Sequence, residues 1–449
     1  MARDSFDQLI SEASLLLKEA RRAGAEEADV VVVQSAALSV SFRLGKLEDV
    51  ERAEARDLGL RVFVGKRQAT VSSNDVSRAR FGELANRAVA MARLAPEDPY
   101  CGLAEASRLA KRIPELDLND PEEPSTETLT ELAKDAEASA LAQPKITNSE
   151  GAGASWGRAT VVLATSGGFS GGYTASNHSV GCSVVASEGE AMERDYEFTS
   201  ARYGSDLDSA REVGLQAATR AARRLNPRKV KSSKVPIVYD PRVSRTLLGH
   251  FASAINGASI ARGVSFLKGE MEKAIFPKGT RIIDDPHRPR GHASRPFDGE
   301  GAANRKMAFV EDGVLKSWIL DTASAAQLKL KSTGHAGRGT SGPPSPGPTN
   351  LYFEPGPSSP EALLAGIEEG FYVTELIGMG VNGVTGDYSR GAAGFWIEKG
   401  QLAYPVSEVT VAGNLRDMFK NLTPASDLKF RYGINAPTLR VDGMTVAGT

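Results

Sequence analysis

Several short patterns in this chain combine residue types and spacings that could do chemistry. GFSGG at 168–172 fits the G-x-S-x-G turn that presents a serine nucleophile, and it follows the strand-like ATVVLAT at 159–165. The residues after Ser170, YTASNHSVGCSVVAS, alternate and are rich in β-branched types, so a hairpin is expected in place of the strand-to-helix turn that would expose the serine. His178, the nearest histidine, then reads as a strand-face residue. GMGVNG at 378–383 satisfies G-x-G-x-x-G, with Glu398 at about the distance of a ribose-binding acid. A dinucleotide site needs a helix opening at those glycines, whereas Gly386, Gly391 and Gly394 would each weaken one, so these read as turn glycines accepting positive φ. SFLK at 265–268 matches S-x-x-K without an accompanying S-D-N or K-T-G. His287 and His292 in DDPHRPRGHASRP lie near Asp284 and Asp285, but Arg288, Arg290 and Arg295 would repel a divalent cation. The same residues form a basic, proline-stiffened loop, read either as suited to a carboxylate on a partner protein or peptide or as a solvated turn.

The elements that must position these residues can be read from periodicity. With 449 residues, 41% of them apolar, the chain is long enough for two to three domains with ordinary cores. No apolar run approaches the ~18 residues of a membrane span, and the charged, amphipathic N-terminus is unlike a secretory signal, so a cytoplasmic address is expected. Two cysteines, Cys101 and Cys182, imply no disulfide framework and are expected to be reduced, buried and inert. With 54 basic and 56 acidic residues the net charge is −2, which argues against direct nucleic-acid binding. Apolar steps of three and four predict a helix over 4–23, covering a sheet of strands at 28–34, 38–45 and 58–65. A helix follows at about 76–94, capped by Asn74 or Asp75, and then a solvated acidic and proline-rich linker at 113–124. A second unit repeats that order, with helices at 127–141 and 209–225 around strands between 145 and 198. From Val235 onward glycine turns and short strands predict a β-rich, largely antiparallel domain with one helix at 242–262. The expected class is thus α+β, with an N-terminal domain over 1–112, a central domain over 113–228, both antiparallel sheets covered by helices, and the β-rich domain over 229–449. The Gly/Pro/Ser-rich stretch 332–350 is expected to be a long loop acting as a lid, a binding segment or a disordered connection.

PFDGEG at 296–301, EDGVL at 311–315, KSTG at 331–334 and TGDYSRGAAGFWIEKG at 385–400, in that order, resemble the PmbA/TldD family, and SRGAAGFWIE with VTVAGNL resembles its PmbA (TldE) branch. The resemblance implies a subunit of a cytoplasmic zinc metallopeptidase acting on unfolded peptides, paired with a TldD-type subunit that carries HExxxH and a cysteine as metal ligands. In the matching helix, LLGHFASAING, His250 could stand at the first ligand position, while Phe251 takes the place of the base and Ile255 that of the second histidine. SDLKFRYGINAPTLRV, where the cysteine would stand, contains no sulfur. No cofactor is therefore expected in this chain, the zinc belonging to the TldD-type partner. The family label of modulator of DNA gyrase has no counterpart in these residues.

The glycine-rich strands and turns at 378–394 are expected to leave backbone groups open to an extended peptide. Asn382, Asp387 and Arg390 are candidate peptide or interface contacts, with turn-stabilising bonds as the other reading of the first two. His250, Arg288 and Arg290 complete the candidate set. The alternative function is a homodimeric peptide-binding scaffold independent of any protease; a homodimer is also conceivable for the subunit alone.

Overall fold

The computed structural model describes residues 6–449. The first two positions of the expected opening helix lie outside them. The N-terminal half comprises α1 (Phe6–Arg22), β1 (Glu27–Arg43), β2 (Lys46–Val64), β3 (Arg67–Ser73), α2 (Phe81–Leu94), α3 (Thr126–Leu141), β4 (Ile146–Thr165), β5 (Ser170–Glu188), β6 (Ala191–Ala201) and α4 (Ala210–Arg223). Its six strands form one antiparallel sheet in the order β3-β2-β1-β4-β5-β6. β1 pairs with β4 from Asp29 opposite Thr165 to Phe42 opposite Ala152, so the sheet runs through the expected division at 112/113.

Period-two geometry assigns the two faces of this sheet. Val30, Val32, Leu38, Val40 and Phe42 point to the helical side, the first two into the core under α1 and α2 and the last three into the core under α3 and α4. Because one alternation spans Glu27–Arg43, the two strands expected at 28–34 and 38–45 are a single strand. The opposite face offers Val31 and Leu163, which pack with Phe169 and with Phe297 of the C-terminal half. Ser125 and Ser209 cap α3 and α4 by accepting from the amides of Thr128 and Glu212 at 3.2 Å each. Asp75 instead closes a turn with the Ser77 amide at 3.0 Å, and a short 3₁₀ segment delays α2 to Phe81. The segment at 113–124 is a docked strap where a solvated linker is expected. Leu116, Leu118 and Asp120 are buried at alternate positions, and the Ser176 amide donates to the Leu118 carbonyl at 2.9 Å.

The C-terminal half contains β7 (Ser233–Tyr239), α5 (Pro241–Ala254), α6 (Gly257–Arg262), β8 (Ile282–Asp284), β9 (Met307–Glu311), β10 (Val314–Leu315), α7 (Thr322–Leu328), β11 (Ala336–Gly337), β12 (Ser345–Pro346), β13 (Leu351–Phe353), α8 (Pro360–Ala365), β14 (Glu369–Ile377), β15 (Asp387–Glu398), β16 (Gln401–Asn414), α9 (Leu415–Lys420), β17 (Leu422–Pro424), β18 (Ile434–Asn435) and β19 (Leu439–Ala447). One sheet runs β16-β15-β14-β7-β19-β17, and β16 also pairs with β19, so five of its strands close on themselves. A second runs β10-β9-β8-β13-β18. The pairings β14–β7 and β13–β18 are parallel, and the other ladders in these two sheets are antiparallel, matching the expected β-rich domain.

The two halves meet at a cluster of buried charges. Asp29 and Arg61 are directly opposed across β1 and β2 on the face turned away from the helices. Arg61 Nε donates to Asp29 Oδ2 at 2.9 Å, and the Arg338 guanidinium, with its side chain 2% exposed, forms an ion pair with Asp29 Oδ1. Burial raises the Asp29 carboxyl, and the Arg61 and Arg338 guanidiniums overcome burial to hold it below the usual carboxylate range. Arg338 belongs to the stretch expected to be a long loop, as a lid, a binding segment or a disordered connection. That stretch is instead an ordered insert: His335 is fully buried with Nε2 3.2 Å from Asp284 Oδ2, and the Thr349 amide donates to Asp284 Oδ1 at 2.7 Å. Its Thr340 carbonyl approaches β2 so closely that a Cβ at Gly59 would lie 2.1 Å from the oxygen. Beside this cluster Glu300 accepts from the Thr322 amide at 2.9 Å and its hydroxyl at 2.6 Å. Burial, and then the neighbouring Asp298 carboxyl, push Glu300 up to about 7.

Asp29→Asn leaves two buried guanidiniums without their counter-charge and is expected to cost ~3–5 kcal/mol in a denaturant titration. Glu300→Gln keeps an acceptor for Thr322 and removes the charge. Because the folded Glu300 pKa lies above its unfolded value, wild-type stability is expected to fall as pH rises from about 4.5 toward 7. The variant's unfolding free energy, from denaturant titrations, should therefore gain on the wild type as pH rises through this window, by on the order of 1 kcal/mol or more; an equal difference at pH 5 and pH 8 would contradict the assignment.

Candidate functional site

The helix in which the resemblance would place the metal ligands, LLGHFASAING, is α5. Asp240 caps it by accepting from the Arg242 amide at 2.9 Å, and Pro241 fills its first turn, where no amide is needed. β7 delivers Tyr239 to its start, and β15 passes beneath with Tyr388 and Arg390 on one face. His250 therefore meets Tyr388, with ring centroids 6.0 Å apart and planes at 74°. Burial, then the nearby Arg390 guanidinium, push the His250 pKa down, so the imidazole is neutral at pH 7. Its Nε2 is buried without a hydrogen-bond partner. The Tyr239 hydroxyl contacts Met444 Sδ at 3.4 Å, and burial raises both tyrosines, Tyr388 to about 12.

The residues here do not fit a zinc ion. Phe251 is fully buried, stacked edge-on to Phe276 and Phe419 with centroids 5.5 and 6.1 Å away. Ile255 is likewise fully buried, and the chain leaves the helix at this residue. Asn256 starts α6 by accepting from the Ala258 amide at 3.0 Å, so the single helix expected over 242–262 is two. Arg390 adds positive charge beside the one imidazole present. Among the described residues no three His, Cys, Asp or Glu side chains converge as a ligand set. In the segment where a cysteine ligand would stand, Asp427 accepts from the Thr438 amide at 2.9 Å and its hydroxyl at 2.8 Å, and Asn435 Oδ1 from the amides of Arg431 and Tyr432 at 2.9 Å.

The glycine-rich region does not offer the open strand expected of it. Residues 387–394 lie in β15, with Gly391 paired to Ile377 on one side and Thr410 on the other, and the closure of the ring leaves no free edge there. Gly394 is needed for close approach, since a Cβ would lie 1.9 Å from the Tyr372 carbonyl oxygen. Residues 378–386 form a loop, with Met379 91% exposed, that folds back on β15: Val381 bridges Tyr388, the Ser389 amide donates to the Gly380 carbonyl at 2.7 Å and the Asn382 amide to the Asp387 carbonyl at 2.8 Å. Asn382 Oδ1 accepts from the amides of Val384 at 2.9 Å and Thr385 at 3.3 Å, and Asp387 from the Thr385 hydroxyl at 2.6 Å and Asn414 Nδ2 at 3.1 Å. Both side chains thus set the shape of the loop. Gly378 and Gly386 have the positive φ expected of turn glycines, and no helix opens at the G-x-G-x-x-G run.

The remaining candidates are engaged within the chain. Arg290 is paired with Asp117 at 2.6 Å and Asp206 at 2.9 Å and lies over Tyr203, and Arg288 lies 3.4 Å from the Phe430 ring centroid. The carboxylates expected from a partner are supplied to Arg290 by this chain itself. His287 Nε2 is 2.7 Å from Asn304 Oδ1. Ser170 begins β5 after a tight turn, in the hairpin expected, while His178 lies eight positions along the strand beside Asp120, Nε2 to Oδ2 3.2 Å. Ser265 donates to the Ala254 carbonyl at 2.5 Å. Both cysteines are free and buried, and burial raises Cys182 to about 12. The buried cluster of Asp29, Arg61, Glu300 and Arg338 was not among the expected site residues; its only sequence signals are lone charges inside the apolar runs ADVVVV and LGLRVFV.

Phe251→Ala is expected to destabilise the chain by ~3–5 kcal/mol, as truncation of a fully packed aromatic does, measured by thermal or urea denaturation. A loss under 1 kcal/mol would show that this position is not held by packing.

The comparisons with known proteins agree with this architecture. The family models for PmbA/TldA metallopeptidase domain 1, central domain and C-terminal domain match residues 28–92, 119–225 and 232–448. Metalloprotease PmbA of Escherichia coli O157:H7 is 38% identical over 98% of this chain and 96% of its own length. The Metalloprotease PmbA homolog of Haemophilus influenzae is 37% identical over 97% of this chain and 95% of its own. A solved structure from Bacteroides thetaiotaomicron, described as a candidate modulator of DNA gyrase, superposes with a TM-score of 0.90 at 28% identity, covering 99% of this chain and all of that one. TldE from Thermococcus kodakarensis shares the fold, with a TM-score of 0.87 at 20% identity over 97% of this chain and all of its own. The chain therefore belongs to the PmbA/TldD family, in its PmbA type.

Proposed function

We propose that this chain is a non-catalytic subunit of a cytoplasmic zinc metallopeptidase that cleaves unfolded peptides, the metal being supplied by a TldD-type partner. The observation that carries this reading is the content of α5: the place of the general base holds Phe251 and the place of the second histidine ligand holds Ile255, and both are fully buried. A phenyl ring cannot take a proton from a metal-bound water, and an alkyl side chain has no lone pair to coordinate with. His250, neutral and next to Arg390, is left alone without an acid or a second ligand to act with. No described helix is long and apolar enough to cross a membrane, which is compatible with the proposed address.

The role left to the chain is to shape and complete the enclosure in which the partner's metal works. The ordered 332–350 insert, pinned on Asp284 and Asp29, supports a rigid contribution of that kind more than a moving lid.

Zinc content and hydrolysis of an unfolded peptide, measured for this chain, for an HExxxH-bearing relative and for the two mixed, test the proposal. The chain alone should hold no stoichiometric zinc and cleave nothing, and the mixture should cleave at least ~10-fold faster than the relative alone, a change of about 1.4 kcal/mol in barrier. Metal-dependent cleavage by the pure chain would falsify this reading. Peptide binding without any association between the two proteins would favour the homodimeric scaffold instead.

A further inference from the structure

A second cavity, remote in composition from the residues around α5, lies where the segment 107–112 crosses the C-terminal half. Its volume is about 880 Å3, and its lining includes Arg108, Lys111, Arg112, Arg305, Lys316 and Lys331 but no Asp or Glu. Six cations around one cleft contrast with a net charge of −2 for the whole chain. Lys316 is paired with Glu272 at 2.6 Å, and Arg108 donates one guanidinium nitrogen to the Ser332 carbonyl while its buried Nε has no partner. Lys111, Arg112, Arg305 and Lys331 are exposed and make no ion pair among the described residues.

The backbone beneath these cations is fixed. The Ala110 amide donates to the Gly301 carbonyl and the Ala303 amide to the Arg108 carbonyl, each at 2.9 Å, and Leu109 bridges Ala302. The cost of collecting like charges is thus met when the chain folds, and a complementary anion would relieve it. The ligand class follows from what else lines the cleft. No aromatic side chain is present to stack a nucleobase, and no helix begins there to cradle a single phosphate with its amides. Leu109, Ala110, Ala303, Met307 and Ala308 supply apolar surface between the cations. Spaced carboxylates on a chain with apolar stems match that mixture.

We propose that this cleft binds an Asp/Glu-rich segment of an unfolded polypeptide, giving the subunit a preference among peptides that the partner's metal site does not impose. The choice of a peptide rests on the function proposed above; the choice of an anion rests on the cleft alone.

Fluorescence anisotropy of a fluorescein-labelled peptide of alternating Glu and Ala, titrated with the full chain in the absence of any partner, tests it. Binding should be clear at low salt, weaken steeply as salt is raised, and be absent for a Gln-for-Glu peptide. Lys111→Glu, Arg112→Glu, Arg305→Glu and Lys331→Glu combined should weaken binding on the order of tenfold or more, since each exposed pair contributes up to a few-fold, with an unchanged thermal melt. Should the combined variant fail to fold, Arg305→Glu and Lys331→Glu made singly must each weaken binding. No binding by the wild type, equal binding by a folded variant, or tighter competition by a single-stranded oligonucleotide overturns the proposal. Acidic-peptide binding without cleavage in the two-protein mixture leaves the cleft standing and removes the subunit reading; cleavage without such binding does the reverse.

Discussion

A buried carboxylate, Asp29, ties the two halves of the chain together. Asp29 stands opposite Arg61 on the sheet face turned away from the helices, and Arg338 reaches it from the other half of the chain. In a low-dielectric interior an unmatched charge is costly, so displacement of one half against the other is opposed by loss of the Arg338 pairing, Arg61 moving with Asp29. The same constraint explains why a stretch with the composition of a loose loop is ordered. Arg338 and His335 hold it from within, and Gly59 allows its backbone to lie directly on β2. With the halves locked, the segment 108–110 is carried onto residues 301–303, and the cations of the basic cleft come to face one another.

The closed ring of β16, β15, β14, β7 and β19 imposes a second constraint. β15 lies between β14 and β16, with Val381 bridging Tyr388 beyond the end of β14, so it offers no open edge to a peptide strand and Gly394 serves close backbone approach. Around the ring α5 must be buried on the side that carries Leu247, Leu248 and Phe251. At the end of that helix Phe251 and Ile255 are both fully buried and contribute packing.

The candidate site was legible in the sequence to the extent that it depends on residue identity. Phe251 and Ile255 cannot act as base and ligand in any conformation, and the lack of a cysteine in 426–441 needs no coordinates to notice. The helices expected at 127–141 and 209–225 begin within one residue of those positions, at caps Ser125 and Ser209 that only the structure identified, whereas α2 starts late because Asp75 closes a turn of its own. Contacts between distant segments were not legible. Arg290 read as a free cation because Asp117 and Asp206, its partners, lie 173 and 84 positions away. Asp120 read as solvated because the alternation of Leu116 and Leu118 is too short to announce a docked strap.

By itself the sequence determined what the side chains can do: period-two and helical alternation set the faces of the sheet and the class of the fold, and the identities of Phe251 and Ile255 set what those two positions can contribute. Tertiary structure alone decided which charges meet and which strand edges close. Asp29 with Arg338, Glu300 with Asp298, and the cations of the basic cleft acquire their properties from neighbours brought close by folding, because burial and Coulomb interaction depend on distance in space and not on distance along the chain.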